Sequence, residues 1–353
     1  MWIVNQTSKV TWQVAATFIG TIIGAGFASG QEILKFFSHY GLYGIVGIVL
    51  SSLLFCTTGT LIMLLGQKLE AKSFGDVIRH ICGKHLGPVL DLLLSLFLFA
   101  TLSVMLAGSG AVFFQQWGLS FWLGTGVTMI ITVATVTFGL QGIIKANSIV
   151  VPFMILFCFL ATVPSISFGR LSAVLNNFSP VAPGASPQWL LSSLLYVSYN
   201  ITLGVSVLAP LGKEITGRKP LVWGGILGGI GLGVLALVID LAILSYYPDS
   251  AQYEVPSLFI AGKFASIVQL AFSIVLWAEI FTTIIGNVYG LAIRISDYCG
   301  LNYRFATGLL MVGALVMSQI GFSGLVGTLY PLFGYVSLLF LASLIVFPFV
   351  KHR

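Results

Sequence analysis

The sequence has very little charge for its length. Asp, Glu, Lys and Arg make up 7% of its 353 residues, against roughly a quarter in an ordinary soluble domain. Hydrophobic residues make up 58%, and the mean hydropathy is +1.04. Such a chain has too little polar surface to cover itself in water. The composition therefore excludes a soluble globular domain and predicts an integral membrane protein.

Cysteine and histidine are scarce as well, with four of each. The cysteines are not spaced as metal ligands, and we expect them to be reduced. No His or Cys cluster, Ser nucleophile motif or phosphate-binding loop is evident, so we expect neither enzyme activity nor a cofactor. The net charge of +6 is spread over short loops, which argues against a nucleic-acid partner. Nothing indicates an obligate protein partner.

Long apolar runs without the alternation of β-barrel strands dominate the chain, and they predict helices of roughly 20 residues that cross the bilayer. The fold class predicted is an all-α polytopic membrane protein with a single transmembrane domain over residues 1–353. The ten predicted spans are 11–38, 42–65, 88–113, 120–138, 146–165, 188–212, 220–246, 264–292, 304–321 and 325–350.

The distribution of basic residues predicts the orientation, since cytoplasmic loops carry an excess of Lys and Arg. With a cytoplasmic N-terminus and ten spans, three of the sixteen basic residues fall on the outer side, namely Lys35, Arg170 and Lys263. This bias predicts a multi-pass protein of the inner or plasma membrane with both termini in the cytoplasm.

Span one contains an unusual concentration of glycine, at Gly20, Gly24, Gly26 and Gly30. Each glycine weakens a continuous helix by about 1 kcal/mol relative to alanine. One interpretation is a face of small residues that packs against another helix. The other is an unwound segment, which the polar pair Gln31-Glu32 favours because an acid inside an apolar run is costly and usually functional.

Span six carries a second polar cluster, Tyr196-Val-Ser-Tyr-Asn-Ile-Thr202, five spans after the first. An odd offset gives the two spans opposite orientations across the membrane. Interrupted helices at corresponding positions of two inverted halves are typical of transporters with a central binding site. The halves predicted are 1–165, with spans one to five, and 188–350, with spans six to ten.

The pattern GTIIGAGFASGQE, the ten spans and the paired polar interruptions resemble the amino acid–polyamine–organocation superfamily, which has the LeuT-type fold. The most similar group is that of the YkvI-like bacterial membrane proteins. The resemblance implies a 5+5 inverted repeat whose helices 1 and 6 are broken at the midplane. It also implies symport of an amino acid or similar small zwitterion, driven by sodium or protons.

The resemblance also implies a sodium site between spans one and eight. Carbonyls of Gly20 and Ile23 would face the carbonyl of Glu279 and the hydroxyls of Thr282 and Thr283, an oxygen cage that suits a hard cation. Alternatively, the two hydroxyls bond to carbonyls of their own helix. The family's other sodium site uses an Asn where this chain has Phe27, so we expect no second sodium ion there.

For the substrate, the N-terminus of the second half of span one offers backbone donors to a carboxylate. Its donors would be the N–H groups of Ala25, Gly26 and Phe27, and span six would add Tyr199, Asn200 and Thr202. Packing against neighbouring helices is the alternative role for the tyrosines.

Glu279 is predicted to lie deep in span eight without a basic neighbour in sequence. Three roles remain open for its side chain: a protonated structural group, a ligand of the substrate amine or coupling cation, and a proton carrier. The function predicted is cation-coupled transport. The alternative is a membrane sensor that binds a small metabolite in the same pocket without transporting it.

Overall fold

The computed structural model describes residues 2–71, 74–136, 152–177 and 188–350, and every regular element in them is a helix. In chain order the helices are α1 (Trp2–Ile22), α2 (Ala25–Ala28), α3 (Gln31–Phe36), α4 (Leu42–Lys68), α5 (Phe74–Trp117), α6 (Phe121–Val136), α7 (Pro152–Ser165, ending in a 3-10 turn), α8 (Phe168–Asn177), α9 (Gln188–Glu214), α10 (Arg218–Ser245), α11 (Pro256–Phe264), α12 (Ser266–Cys299), α13 (Tyr303–Ser318) and α14 (Phe322–Val350).

Most of the predicted spans correspond to one helix each. Among the described residues, six helices are long and apolar enough to cross a membrane, and α6, α7 and α13 are shorter apolar helices. The six are α4, Leu92–Trp117 within α5, α9, α10, Ser266–Ser296 within α12 and Phe322–Ile345 within α14. The predicted fifth span begins at 146, and residues 137–151 lie outside the described ranges.

The predicted interruption of span six is wrong, because α9 is one continuous helix from Gln188 to Glu214. Its polar side chains turn back on their own helix: Asn200 donates to the Tyr196 carbonyl at 3.0 Å and Thr202 to the Ser198 carbonyl at 2.7 Å. Such back-bonding satisfies hydroxyl and amide groups without unwinding the backbone.

Two groups of helices make up the fold, and α14 packs against both. In the first, α4 packs on α9 and α10, and α10 packs on α1; in the second, α5 packs on α6, α12 and α13. Side chains on the outer surface are apolar: Leu53 is 61% exposed, Ile130 72%, Val316 68% and Leu339 68%. Large exposed apolar surfaces are rare on soluble monomers and are what a bilayer covers.

Glycine permits the close approach of α4 and α9. A Cβ on Gly66 of α4 would overlap the carbonyl oxygen of Ala209, and a Cβ on Gly212 of α9 would overlap the carbonyl oxygen of Met63. The two contacts are reciprocal, so each helix places its backbone against a glycine of the other. Small residues at such crossings are the usual means of packing helices in membranes.

We expect Gly212→Ala to lower the thermal stability of the detergent-solubilised protein, because the added methyl group must displace backbone of α4. Overpacking of this kind costs about 1–3 kcal/mol. The matched control is Gly286→Ala in α12, where a Cβ meets nothing within 4 Å. Equal melting temperatures for the two variants, measured by intrinsic fluorescence, would contradict the close contact.

Candidate substrate and cation sites

The first site feature is a break in the helix of span one. α1 ends at Ile22, Gly24 is extended, and α2 begins at Ala25. The first backbone hydrogen bond of α2 runs from the Ala28 N–H to the Gly24 carbonyl, at 3.0 Å. The N–H groups of the three preceding residues therefore have no acceptor within α2. A Cβ on Gly24 would meet nothing within 4 Å, so the break adjoins unfilled space.

A second interruption follows at Ser29-Gly30, where Gly30 has φ +83°. The Ser29 hydroxyl donates to the Gly26 carbonyl at 2.8 Å and accepts from the Gln31 N–H at 3.2 Å, which caps the start of α3. The Ser29 carbonyl accepts from the N–H of Ser257 at 2.9 Å. These bonds provide partners for backbone N–H and carbonyl groups that the interruption leaves without partners in a regular helix.

The Glu32 side chain folds back over α2 and meets span six. A Cβ on Gly26 would overlap Oε1 of Glu32, and Oε2 of Glu32 accepts from the Tyr199 hydroxyl at 2.5 Å. Glu32 is 5% exposed and Tyr199 1%. The predicted residues Gly26 and Tyr199 are therefore brought together, with a carboxylate between them.

Aromatic rings surround Tyr199. Its ring centroid lies 5.1 Å from that of Tyr330, 5.6 Å from that of Phe36 and 5.9 Å from that of Phe97. The four rings come from α3, α5, α9 and α14, so both groups of helices contribute. Sequence reasoning missed Glu32, Phe97 and Tyr330 as site residues; the signal for Glu32 was its charge inside an apolar run.

Thr202 lies apart from the carboxylate. It lines a cavity of about 20 Å³ together with Phe97, Phe333 and Ser337. A cavity of this size holds about one water molecule. An amino acid therefore needs a more open arrangement of these helices than the one described. The Asn200 amide, bonded within α9, reaches no other helix through a hydrogen bond in the described part of the chain.

The predicted cation ligands fall into two sets. In α12, the hydroxyls of Thr282 and Thr283 both donate to the Glu279 carbonyl, each at 3.0 Å. In span one, the break removes the usual N–H partners of two carbonyls: within the described ranges, no bond joins Gly24 N–H to Gly20 or Phe27 N–H to Ile23. α2 packs against α12, so the break lies beside this helix.

The hydroxyl hydrogens of Thr282 and Thr283 are thus both used in bonds to their own helix, as the back-bonding alternative predicts. This bonding leaves the oxygen lone pairs available, because a hydroxyl group has one donor and two acceptor positions. The freed carbonyls and the threonine lone pairs are the oxygen types that a hard cation takes.

Glu279 and Asp240 are two further buried acids. The Glu279 residue is 3% exposed, and its Oε2 has no hydrogen-bond partner among the described residues. The Asp240 residue is fully buried; its Oδ1 accepts from the Ser38 hydroxyl at 2.5 Å, and its Oδ2 has no partner in the same ranges.

The segment between α10 and α12 covers the Ser29-Gly30 end of the interrupted helix, and we call it the covering segment. Gln31 donates to the Tyr253 carbonyl at 3.0 Å, and Gln115 both donates to and accepts from the backbone of Val255, at 3.0 and 3.1 Å. Glu254 accepts from the N–H and hydroxyl of Ser323, at 2.6 and 2.9 Å. This segment therefore joins α3, α5 and α14.

The chain resembles proteins of two kinds. No known family profile matches it. It is 34% identical over 341 residues to the uncharacterized membrane protein YkvI of Bacillus subtilis, covering 97% of each chain. In structure it resembles MhsT in complex with L-phenylalanine, with a TM-score of 0.63 at 16% identity over 90% of this chain and 80% of that one.

A Na⁺-coupled sialic acid symporter in a substrate-bound outward-open state is similar as well, with a TM-score of 0.61 at 11% identity, covering 93% of this chain and 75% of the symporter. At such identities the likeness shows the fold alone. These neighbours have the LeuT-type transporter fold, whereas the resemblance to YkvI extends along nearly the whole sequence. The chain therefore belongs to the YkvI family of bacterial membrane proteins, and its fold is that of the LeuT-type transporters.

Proposed function

We propose that the protein is a secondary transporter that couples the movement of a cation, sodium in the first place, to that of an amino acid or similar small zwitterion. Ten transmembrane helices would form a 5+5 inverted repeat, with both termini in the cytoplasm. Interruption of span six is not part of this proposal, because α9 is continuous. The fold supports transport rather than enzyme catalysis.

The observation that carries the proposal is the break at Ile23-Gly24. It frees the carbonyls of Gly20 and Ile23 just before α2, the short helix that packs on α12, and α12 carries the Thr282-Thr283 pair. Unpaired backbone groups are tolerated at membrane depth only where they face protein or a polar cavity. A coupling ion that binds there would satisfy them.

For the substrate, we propose the space beside α2, where the N–H groups of Ala25, Gly26 and Phe27 precede the first helical hydrogen bond. Tyr199, through Glu32, and Thr202, through the neighbouring cavity, complete the proposed pocket. Asn200 was predicted to join it, and its bond to the Tyr196 carbonyl favours a structural role in the described state.

Transport itself is tested by uptake of a mixture of radiolabelled amino acids into proteoliposomes. We expect accumulation with an inward sodium gradient, and a smaller signal with potassium in its place. Accumulation driven by a proton gradient alone would show that the coupling ion is the proton and not sodium. Binding without accumulation under either gradient would favour the sensor alternative.

We expect Thr283→Val to abolish stabilisation of the purified protein by sodium, because it removes an oxygen ligand while keeping the volume. Losing one contact to a charged group weakens binding roughly ten- to a hundredfold. The measurement is the melting temperature during titration with sodium chloride against potassium chloride. Thr125→Val is the matched control, since Thr125 is a fully buried helix threonine that also bonds to its own helix. An unchanged sodium response in Thr283→Val would exclude this residue as a ligand.

We expect Glu279→Gln to abolish uptake while the protein stays folded, because glutamine keeps the shape and hydrogen bonding of the side chain but cannot ionise. Uptake is measured across a pH series in proteoliposomes, with gel filtration as the folding control. Wild-type uptake with an unchanged pH dependence would leave only the structural role for Glu279.

A further inference from the structure

Glu32 is a buried acid without a cationic partner among the described residues. The residue is 5% exposed, and the Tyr199 hydroxyl is its hydrogen-bond donor. No Lys, Arg or His side chain of the described residues forms an ion pair with it. Burying an ionised carboxylate is expensive unless a cation or several donors compensate it. One hydroxyl compensates it only in part.

The position of Glu32 places this charge at the helix break. Glu32 lies in the first turn of α3, and its carboxylate rests against Gly26 of α2, where even a methyl group would overlap Oε1. Gly26 therefore makes room for the carboxylate. The helix interruption and the acid form one structural unit.

Aromatic rings lie close to the Glu32–Tyr199 pair. The Tyr199 hydroxyl donates to Oε2. Four other rings have centroids within 6 Å of that of the Tyr199 ring, namely those of Tyr330, Phe36, Tyr196 and Phe97. Aromatic faces attract cations, and most strongly where water is excluded. A carboxylate, a hydroxyl and several ring faces together provide an environment for a positively charged organic group.

We propose that Glu32 and Tyr199 bind the positively charged nitrogen of the substrate, so that the pocket selects compounds that carry an ammonium group. This inference deepens the proposed function and rests on it in taking the space beside α2 as the substrate site. It assigns two side chains to the ammonium group of the substrate, whereas the proposed backbone donors of α2 concern only its carboxylate.

A divalent metal ion fits this environment less well than an ammonium group. Within the described ranges, no group of three His, Cys, Asp or Glu side chains comes together. Divalent cations take six or more oxygen ligands, several of them charged. An ammonium group needs only the carboxylate, one or two further acceptors and apolar walls.

The test uses probes that share a carbon skeleton and differ only in charge. L-leucine carries both charged groups, isoamylamine only the amine and isocaproate only the carboxylate; L-phenylalanine, phenethylamine and hydrocinnamate form a second set. Binding is measured by thermal shift of the purified full-length protein, with and without sodium chloride. We expect the amine-bearing probes to raise the melting temperature of the wild-type protein and the two carboxylates to leave it unchanged.

Two substitutions, each with a matched control, assign the effect to the pair. Glu32→Gln should weaken binding of the amine-bearing probes roughly ten- to a hundredfold, and Tyr199→Phe should weaken it less. Asp240→Asn removes another buried acid that accepts one hydroxyl hydrogen bond. Tyr196→Phe removes a buried hydroxyl that has no partner among the described residues and keeps the ring, whose centroid lies 5.7 Å from that of Tyr199. Both controls should bind the amines as the wild type does.

Three results would overturn the inference. The first is a wild-type protein that no amine-bearing probe stabilises. The second is equal binding of these probes by the wild type and Glu32→Gln. The third is stabilisation by sodium chloride alone, lost in Glu32→Gln, which would make Glu32 a ligand of an inorganic cation. If Glu32→Gln does not fold, Tyr199→Phe against Tyr196→Phe decides.

The outcome is separable from that of the transport assay, because binding is measured in detergent without a gradient. Amine binding that depends on Glu32, combined with no gradient-driven uptake, would sustain the ammonium site and refute the transporter. Gradient-driven uptake of compounds without an amine would support the transporter and refute the ammonium site.

Discussion

Backbone hydrogen bonding inside an apolar bundle is the constraint on which this structure depends. Without water, each N–H and carbonyl must find a partner in the protein, and a continuous helix does this most simply. Span one departs from the rule at Ile23-Gly24 and again at Ser29-Gly30. At the second place the Ser29 hydroxyl donates to the Gly26 carbonyl and the distant Ser257 N–H donates to the Ser29 carbonyl. At the first, the carbonyls of Gly20 and Ile23 lack their usual N–H partners in the described ranges. The irregular segment is thus held by contacts that a regular helix would not need.

The sequence predicted those features that depend on local composition. Apolar runs predicted the helices to within a few residues for most spans, as for span two at 42–65 and α4 at Leu42–Lys68. Clustered glycines predicted the break in span one, because glycine both weakens a helix and allows close approach. For the adjacent threonines, the back-bonding alternative describes the structure, since both hydroxyls donate to the Glu279 carbonyl, and the sodium site stays a prediction.

Features that depend on long-range contacts were beyond sequence reasoning. The Glu32–Tyr199 hydrogen bond joins residues 167 positions apart, and no sequence periodicity along either helix predicts it. Polar clustering gave the wrong answer for span six, because it does not distinguish an unwound backbone from side chains that bond to their own helix. Ser198, Asn200 and Thr202 each bond to a carbonyl three or four residues earlier in α9. Both spans place polar groups inside an apolar bundle. In span one the backbone is interrupted, whereas in span six the backbone stays helical and the polar side chains bond to its carbonyls.

The two spans therefore also pack differently. A continuous α9 packs as one body against α4 and α14, whereas α2 and α3 are short pieces joined by a Gly30 turn. α3 carries two contacts side by side: Glu32 bonds to Tyr199 in α9, and Gln31 bonds to the Tyr253 carbonyl in the covering segment. Because the two residues are adjacent on a single short helix, a shift of α3 that loosens the Glu32 contact also shifts the anchor of the covering segment.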